Sequence, residues 1–167
     1  MHALSIAEAR FTLGRLPPIA FSEVGVCLLE AGHDSEAVRS LAALREDEAP
    51  SAGSKLFRRV LTELGRGPLS REDGLRLYLG VVSRQILAGE VSPCQGVRQI
   101  WTEAIEAHRD GDSWDGNPAY PRELLFLIGL AGDCEDPLTR EWAENSARAT
   151  AARTVERYGS LLRARER

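Results

Sequence analysis

Residues 89–101 read GEVSPCQGVRQIW and join two segments that have strong helical patterns. Gly89 can adopt the left-handed conformation that ends a helix, because it has no Cβ atom to clash with the backbone. Ser92 offers a side-chain oxygen to the free amides of the next helix, and Pro93 fits the first helical position. The stretch therefore predicts a hairpin of two helices. It is a structural pattern, and it carries no catalytic signature.

Apolar residues recur at helical spacing through nearly the whole chain, and alternating strand patterns are absent. We predict an all-α fold, a single-domain bundle of about eight antiparallel and crossed helices over residues 1–167. Residues 71–87 are apolar on most sides, which is typical of a central helix. We expect a flexible loop at residues 47–54 and a long C-terminal helix over 137–167.

Two further expectations concern single residues on the predicted helices. Ser5 and Glu8 have the spacing of a capping box, which would start the first helix. Trp101 and Trp142 lie on apolar stripes, so we expect both side chains in the core.

One part of the chain resembles a known group of proteins. The residues that carry the resemblance are LLEAGHDSEAVRSLA at 28–42 and the pattern GxxxPxxGxxxIW at 89–101. Over residues 20–105 the chain resembles small bacterial all-helical proteins of unassigned function, many of which have an aromatic residue in place of His33. The resemblance implies a helical fold, and it implies no activity, cofactor or site.

Composition points to an ordinary soluble protein. The hydrophobic share is 43% and the charged share 28%, and no apolar run approaches the roughly 18 residues of a membrane span. The N-terminus lacks the pattern of a secretory signal. The three cysteines, Cys27, Cys94 and Cys134, are odd in number and widely spaced, which predicts reduced thiols rather than disulfides or a zinc site. We therefore expect a cytoplasmic protein with no membrane association.

The distribution of charge favours a protein partner over nucleic acid. The net charge is −4, whereas phosphate binding needs a basic surface. Residues 140–167 hold seven arginines against four glutamates, a net of +3, which leaves −7 for residues 1–139. The arginines of this last segment alternate with glutamates around the helix, so we interpret them as a solvated face.

The segment HRDGDSWDGNP at 108–118 is the best candidate for chemistry. Its three carboxylates and one imidazole are ligands for a divalent cation, but the register of a calcium loop is wrong and the acid at its twelfth position is missing. We interpret the segment as an Asp-rich turn. Trp114 within it either folds back onto the domain or anchors a partner.

Cys94 is the other candidate, because the amides at a helix N-terminus favour a thiolate. We interpret it instead as a small residue in a first helical turn. No histidine has an identifiable partner, and neither a nucleophile elbow nor a glycine-rich phosphate loop is present. We therefore expect no catalytic residue, no metal ligand and no cofactor.

These observations favour a non-catalytic binding or adaptor protein that engages a basic protein surface, as acidic immunity or inhibitor proteins do. The candidate partner-binding residues lie in two acidic segments: Asp110, Asp112, Trp114, Asp115, Glu135 and Asp136. Two alternatives stay open. One is an enzyme, either a metal-dependent hydrolase at 108–115 or a thiol enzyme through Cys94. The other is a nucleic-acid accessory protein that acts through the C-terminal helix. The oligomeric state is not predicted.

Overall fold

The structure is a computed structural model, and it describes the backbone of residues 2–108 and 122–166 and the side chains of residues 3–103 and 122–165. These ranges form an all-helical bundle without strands, in agreement with the predicted fold class. Its eight α-helices are α1 (His2–Thr12), α2 (Pro18–Glu30), α3 (Glu36–Ala42), α4 (Ser54–Glu63), α5 (Arg71–Ala88), α6 (Pro93–His108), α7 (Arg122–Asp133) and α8 (Arg140–Glu166).

The hairpin between α5 and α6 forms as its sequence predicts. Gly89 ends α5 in the left-handed conformation, with φ 74°. The backbone amide of Gln95 donates to Ser92 Oγ at 3.3 Å, while Gln95 Oε1 accepts from the Ser92 amide at 3.0 Å. Each side chain thus satisfies a free amide of the first turn of α6, and Pro93 occupies the first helical position.

The helices enclose two clusters of buried apolar side chains. The larger cluster lies among α5, α6, α7 and α8 and is centred on α5, whose Leu77, Leu79 and Val82 are fully buried. The smaller cluster lies among α1, α2, α3 and α4 and includes Phe21 and Phe57. Helix α1 contributes to both clusters, so it joins the two halves of the bundle. The broadly apolar pattern of residues 71–87 correctly predicts a central helix.

Three local predictions need correction. Helix α1 begins at His2, so Ser5 and Glu8 do not form a capping box; both are buried inside the helix. The predicted loop at 47–54 contains a π-helical turn, Ala49–Gly53, which leads directly into α4 and buries Ala49 and Gly53. The C-terminal helix begins at Arg140 rather than at residue 137, because residues 134–139 form a turn.

None of the helices within 2–108 and 122–166 combines the length and the apolar character that crossing a membrane requires.

Candidate functional site

The turn between α7 and α8 is held rigidly. We define the α7–α8 turn as residues 134–142. Thr139 Oγ1 donates to the carbonyl of Asp133 at 3.0 Å, and Arg140 Nε donates to the carbonyl of Cys134 at 3.1 Å. The carbonyl of Asp136 accepts from the amide of Arg140 at 2.9 Å. Side-chain and backbone bonds together therefore fix the path of the chain into α8.

A disulfide bond also holds this turn. Cys94, in the first turn of α6, is bonded to Cys134 at the end of α7, with the two Cα atoms 5.5 Å apart. The prediction of three reduced thiols is therefore wrong for two of them, and only Cys27 is free. The bond removes the thiolate on which an enzyme acting through Cys94 would depend. It also removes the argument from reduced cysteines for a cytoplasmic protein.

Two of the predicted partner-binding residues lie in the α7–α8 turn, and both are exposed. Glu135 Oε1 lies 3.2 Å from Arg98 Nη2 on α6, in a solvent-exposed ion pair. Asp136 Oδ1 accepts a hydrogen bond from the amide of Leu138 at 2.9 Å. The other four predicted residues, Asp110, Asp112, Trp114 and Asp115, lie outside the described residues.

The same turn displays two large apolar side chains to solvent. Leu138 is 92% exposed and Trp142 is 56% exposed. Leu138 precedes Trp142 by four residues, in the turn that leads into α8. The prediction that Trp142 and Trp101 lie in the core is wrong, since Trp101 on α6 is also 40% exposed.

The exposure of Trp142 has a simple origin in the sequence. The buried stripe of α8 begins with Ala143, Ala147 and Ala151, and Trp142 precedes that stripe by one position, which rotates it toward solvent. Leu138 lies in a polar turn with no apolar stripe to join. The sequence analysis did not predict that either residue is exposed. An apolar residue isolated in an acidic turn is a sequence signal that indicates exposure.

The charge of the turn is mainly negative. Glu135, Asp136 and Glu141 are exposed, while Arg140 is the one basic residue within 134–142. Arg98 on α6 pairs with Glu135 and offsets part of this charge. Leu138 and Trp142 therefore project from a turn that would repel an acidic partner and attract a basic one.

A buried group of charges joins the other half of the bundle to α8. Glu8 on α1 is 1% exposed. Its carboxylate lies 2.9 Å from Nη1 of Arg66, in the loop after α4, and 2.8 Å from Nη1 of Arg165 on α8. Arg66 also donates to the backbone carbonyl of Arg165, and Arg165 donates to the carbonyl of Gly67 at 3.0 Å. We call Glu8, Arg66 and Arg165 the charged triad.

Burial raises the pKa of the Glu8 carboxyl above its usual value of 4.5, and the guanidiniums of Arg165 and Arg66 oppose that rise. Sequence reasoning placed Glu8 in a cap and missed the triad. A glutamate within an apolar face is a weak signal, because its partners lie far away in the chain.

A cleft opens beside the charged triad. It has a volume of about 680 Å³ and lies between α1, α2, the π-helical turn, α4 and the loop that follows α4. Most of its walls are apolar, and Glu8 and Arg66 reach its surface. We call it the α1–α4 cleft. No sequence signal predicted it, because its lining comes from five separate segments.

A second ion pair, which is partly buried, involves Arg10 of α1. Arg10 Nη2 is 2.7 Å from Glu103 Oε1 on α6, and the guanidinium of Arg10 lies 5.7 Å from the ring centre of Tyr78. Burial raises the pKa of Tyr78 to about 12; Glu103 adds to that rise and Arg10 opposes it. The Tyr78 hydroxyl is therefore protonated at neutral pH.

The arginines of α8 mostly bind within the chain. Arg148 pairs with Glu144, Arg157 pairs with Glu123 at 2.6 Å, and Arg165 belongs to the charged triad. Arg153 donates to Thr150 Oγ1. These contacts favour a structural role for the basic residues of α8 over contacts with phosphate.

Among the described residues, no group of three histidine, cysteine or carboxylate side chains has the arrangement of a metal site. The candidate metal-dependent hydrolase site at 108–115 lies outside the described side chains and stays a prediction. Comparison of the chain with protein-family models, with curated proteins and with solved structures gave no significant match.

Proposed function

We propose that the protein is a non-catalytic binding protein that engages a basic protein surface through the α7–α8 turn. The observation that carries this proposal is the exposure of both Leu138 and Trp142 in that turn. Tryptophan is enriched among the residues that dominate binding energy at protein interfaces. An apolar pair of this size is costly to leave in water unless a partner covers it.

Rigidity supports the proposal. The disulfide and the hydrogen bonds of Thr139 and Arg140 hold the turn before any partner arrives. A surface that is already ordered loses little conformational entropy on binding, so more of its contact energy appears as affinity.

Charge supports the choice of a basic partner. Glu135, Asp136 and Glu141 are exposed and lie close to Leu138 and Trp142 in the sequence. Opposite charge on the partner would speed encounter and exclude acidic competitors. The acidic segment with Asp110, Asp112 and Asp115 would add to the same attraction, and Trp114 is a second candidate anchor. An immunity- or inhibitor-type protein that neutralises a basic target is the role that these features suit best.

The test compares capture of proteins by the wild-type chain and by two variants. Leu138→Ala/Trp142→Ala removes the apolar pair, while Ile19→Ala removes a half-exposed apolar side chain on α2 as a matched control. We expect a basic protein that the wild type and the control bind equally. The double variant should bind it at least 30-fold more weakly, since a central tryptophan contributes about 2 kcal/mol or more.

Changing Asp110, Asp112 and Asp115 together to asparagine should slow association and reduce its dependence on salt. The proposal fails if no captured protein depends on Leu138 and Trp142, or if the dependent protein is acidic.

A further inference from the structure

The α1–α4 cleft shares no residue with the α7–α8 turn, so it raises a separate question. We propose that the cleft binds an amphiphile that has an acyl chain and a single carboxylate head group. The proposal goes beyond the protein-binding function and does not depend on it. Three observations carry it: the shape and lining of the cleft, the rigidity of its walls, and its charge.

The cleft suits the apolar body of such a ligand. Its volume of about 680 Å³ lies within the roughly 300–1,000 Å³ of small-molecule sites in proteins. The walls come largely from Phe11, Leu16, Phe21, Leu61 and Leu69. An acyl chain placed against these side chains leaves water, and burial of each CH₂ group favours binding.

The walls are preformed. Phe11, Phe21 and Phe57 contact one another edge to face, with ring centres 5.0–6.2 Å apart. A Cβ atom built on Gly53 would lie only 2.4 Å from the Phe21 ring, so the π-helical turn packs tightly against that wall. The aromatic side chains are thus held in place and cannot collapse into the cleft without disturbing the core.

The charged residues that line the cleft favour a carboxylate head group. Glu8 and Arg66 neutralise each other at the surface of the cleft. Arg58, on α4, also lines the cleft, and its guanidinium lies 5.5 Å from the ring centre of Phe11. No carboxylate pairs with Arg58 among the described side chains, whereas the adjacent Arg59 pairs with both Glu36 and Glu63.

The cleft therefore carries a net positive charge and one arginine that is available to a ligand. A guanidinium binds a carboxylate through two parallel hydrogen bonds. The ring of Phe11 restricts the motion of the Arg58 side chain, so less entropy is lost when an anion pairs with it. A basic protein segment would meet repulsion at the same place, which separates this site from the α7–α8 turn.

The test is calorimetric titration with decanoate and with decanol, which have the same number of carbon atoms in an unbranched chain and differ in the head group. We expect the wild-type protein to bind decanoate at least tenfold more tightly than decanol. Arg58→Gln should weaken binding of decanoate about tenfold and leave decanol unchanged. Arg59→Gln is the matched control, because it removes the same charge one position away and outside the lining; it should change neither affinity.

A second variant tests the location. Thr62 lines the cleft, and its side chain is exposed, so Thr62→Trp should fill the space without disturbing the core. It should retain the helical circular dichroism and thermal midpoint of the wild type, and lose binding of both ligands. Equal affinity for decanoate and decanol, tighter binding of a cationic amphiphile, unaltered binding by Arg58→Gln, or full binding by a folded Thr62→Trp variant would each overturn the proposal.

Discussion

The two halves of the bundle are built from the same kind of amphipathic helix, but their apolar side chains form different surfaces. In the half built from α1 to α4, apolar side chains such as Phe11 and Phe21 line a concave cleft, and charged residues are drawn inward around Glu8. In the half built from α5 to α8, the larger cluster of buried apolar side chains lies around α5, and Leu138 and Trp142 are exposed in the α7–α8 turn.

The difference lies in what holds each half together. The first half depends on packing and on buried charges that need their partners. The second has a covalent bond between α6 and the end of α7. A disulfide can hold an exposed apolar turn in place. A cleft stays open only if the helices on its two sides are held apart. Four predictions test this contrast, from the largest expected effect to the smallest.

The largest effect should follow removal of the carboxylate of Glu8. Glu8→Leu leaves Arg66 and Arg165 with backbone carbonyls as acceptors but with no carboxylate to balance their charge, and loss of one partner from a buried ion pair costs about 3–5 kcal/mol. Urea unfolding followed by circular dichroism measures the change. Glu23→Leu, at an exposed position on the neighbouring helix α2, should stay within about 0.5 kcal/mol of the wild type.

Glu8→Gln separates charge from hydrogen bonding in the same experiment. The amide oxygen still accepts from Arg66, and the raised pKa of Glu8 means that the fold tolerates a neutral group there. We expect a loss of about 1 kcal/mol or less. If Glu8→Leu is as stable as the wild type, the charged triad does not hold the two halves together.

The disulfide should give the next effect, in the other half. Cys94 and Cys134 are separated by 40 residues, and disulfides that close loops of this length typically contribute about 2–4 kcal/mol. The double variant Cys94→Ala/Cys134→Ala should lose that much in urea unfolding, while Cys27→Ala should lose little. Thiol titration of the unreduced, denatured wild type should find one thiol per chain. Three thiols would contradict the bond.

The sequence predicted those parts of the fold that depend on near neighbours. Gly89 and Ser92 act within one turn of helix, so their roles could be read from local spacing. Glu8 was misread for the opposite reason. Its spacing from Ser5 matches a cap, yet its partner Arg66 is 58 residues away, and no local pattern reveals which distant helix will meet it.

The candidate sites also differ in whether they depend on near neighbours in the sequence. The acidic character of Glu135 and Asp136 could be read directly, and the exposure of Trp142 could have been read from its place beside the stripe of Ala143 and Ala147. The α1–α4 cleft could not be predicted, because an empty space between five segments has no signature in any one of them. The pairing of Cys94 with Cys134 likewise depends on the packing of α6 against α7.

Close helix packing provides a third contrast between the halves. A Cβ atom at Gly25 on α2 would lie 2.4 Å from the backbone nitrogen of Ala42, whereas one at Gly96 on α6 would lie 2.5 Å from Cδ1 and 2.6 Å from Cγ1 of the buried Ile86 side chain. Gly25→Ala should therefore cost about 2 kcal/mol, since backbone cannot give way easily. At Gly96 a side chain rather than backbone has to shift, and the better helix propensity of alanine offsets part of the strain.

The matched control for this pair is Gly129→Ala on α7, where no atom of the described residues, apart from the nearby backbone of α7 itself, lies within 4 Å of the added carbon. It should raise the unfolding free energy by up to about 1 kcal/mol. Thermal and urea unfolding of the three variants should rank them Gly129→Ala, Gly96→Ala and Gly25→Ala in falling stability. If Gly25→Ala matches Gly96→Ala, helices α2 and α3 are not in close backbone contact.

The smallest effect concerns pH. The folded-state pKa of Glu8 is raised above the usual 4.5 by burial, and Arg165 and Arg66 limit that rise. Because the folded state holds the proton more tightly than the unfolded state, the contribution of Glu8 to stability is full below pH 4.5 and falls as pH rises through the folded pKa.

Glu8→Gln lacks this titration. The unfolding free energy of the wild type minus that of Glu8→Gln should therefore decrease from pH 4 to pH 7, as measured by urea unfolding at fixed ionic strength. An increase over that range would mean that the folded-state pKa is lowered, because the two guanidiniums outweigh burial.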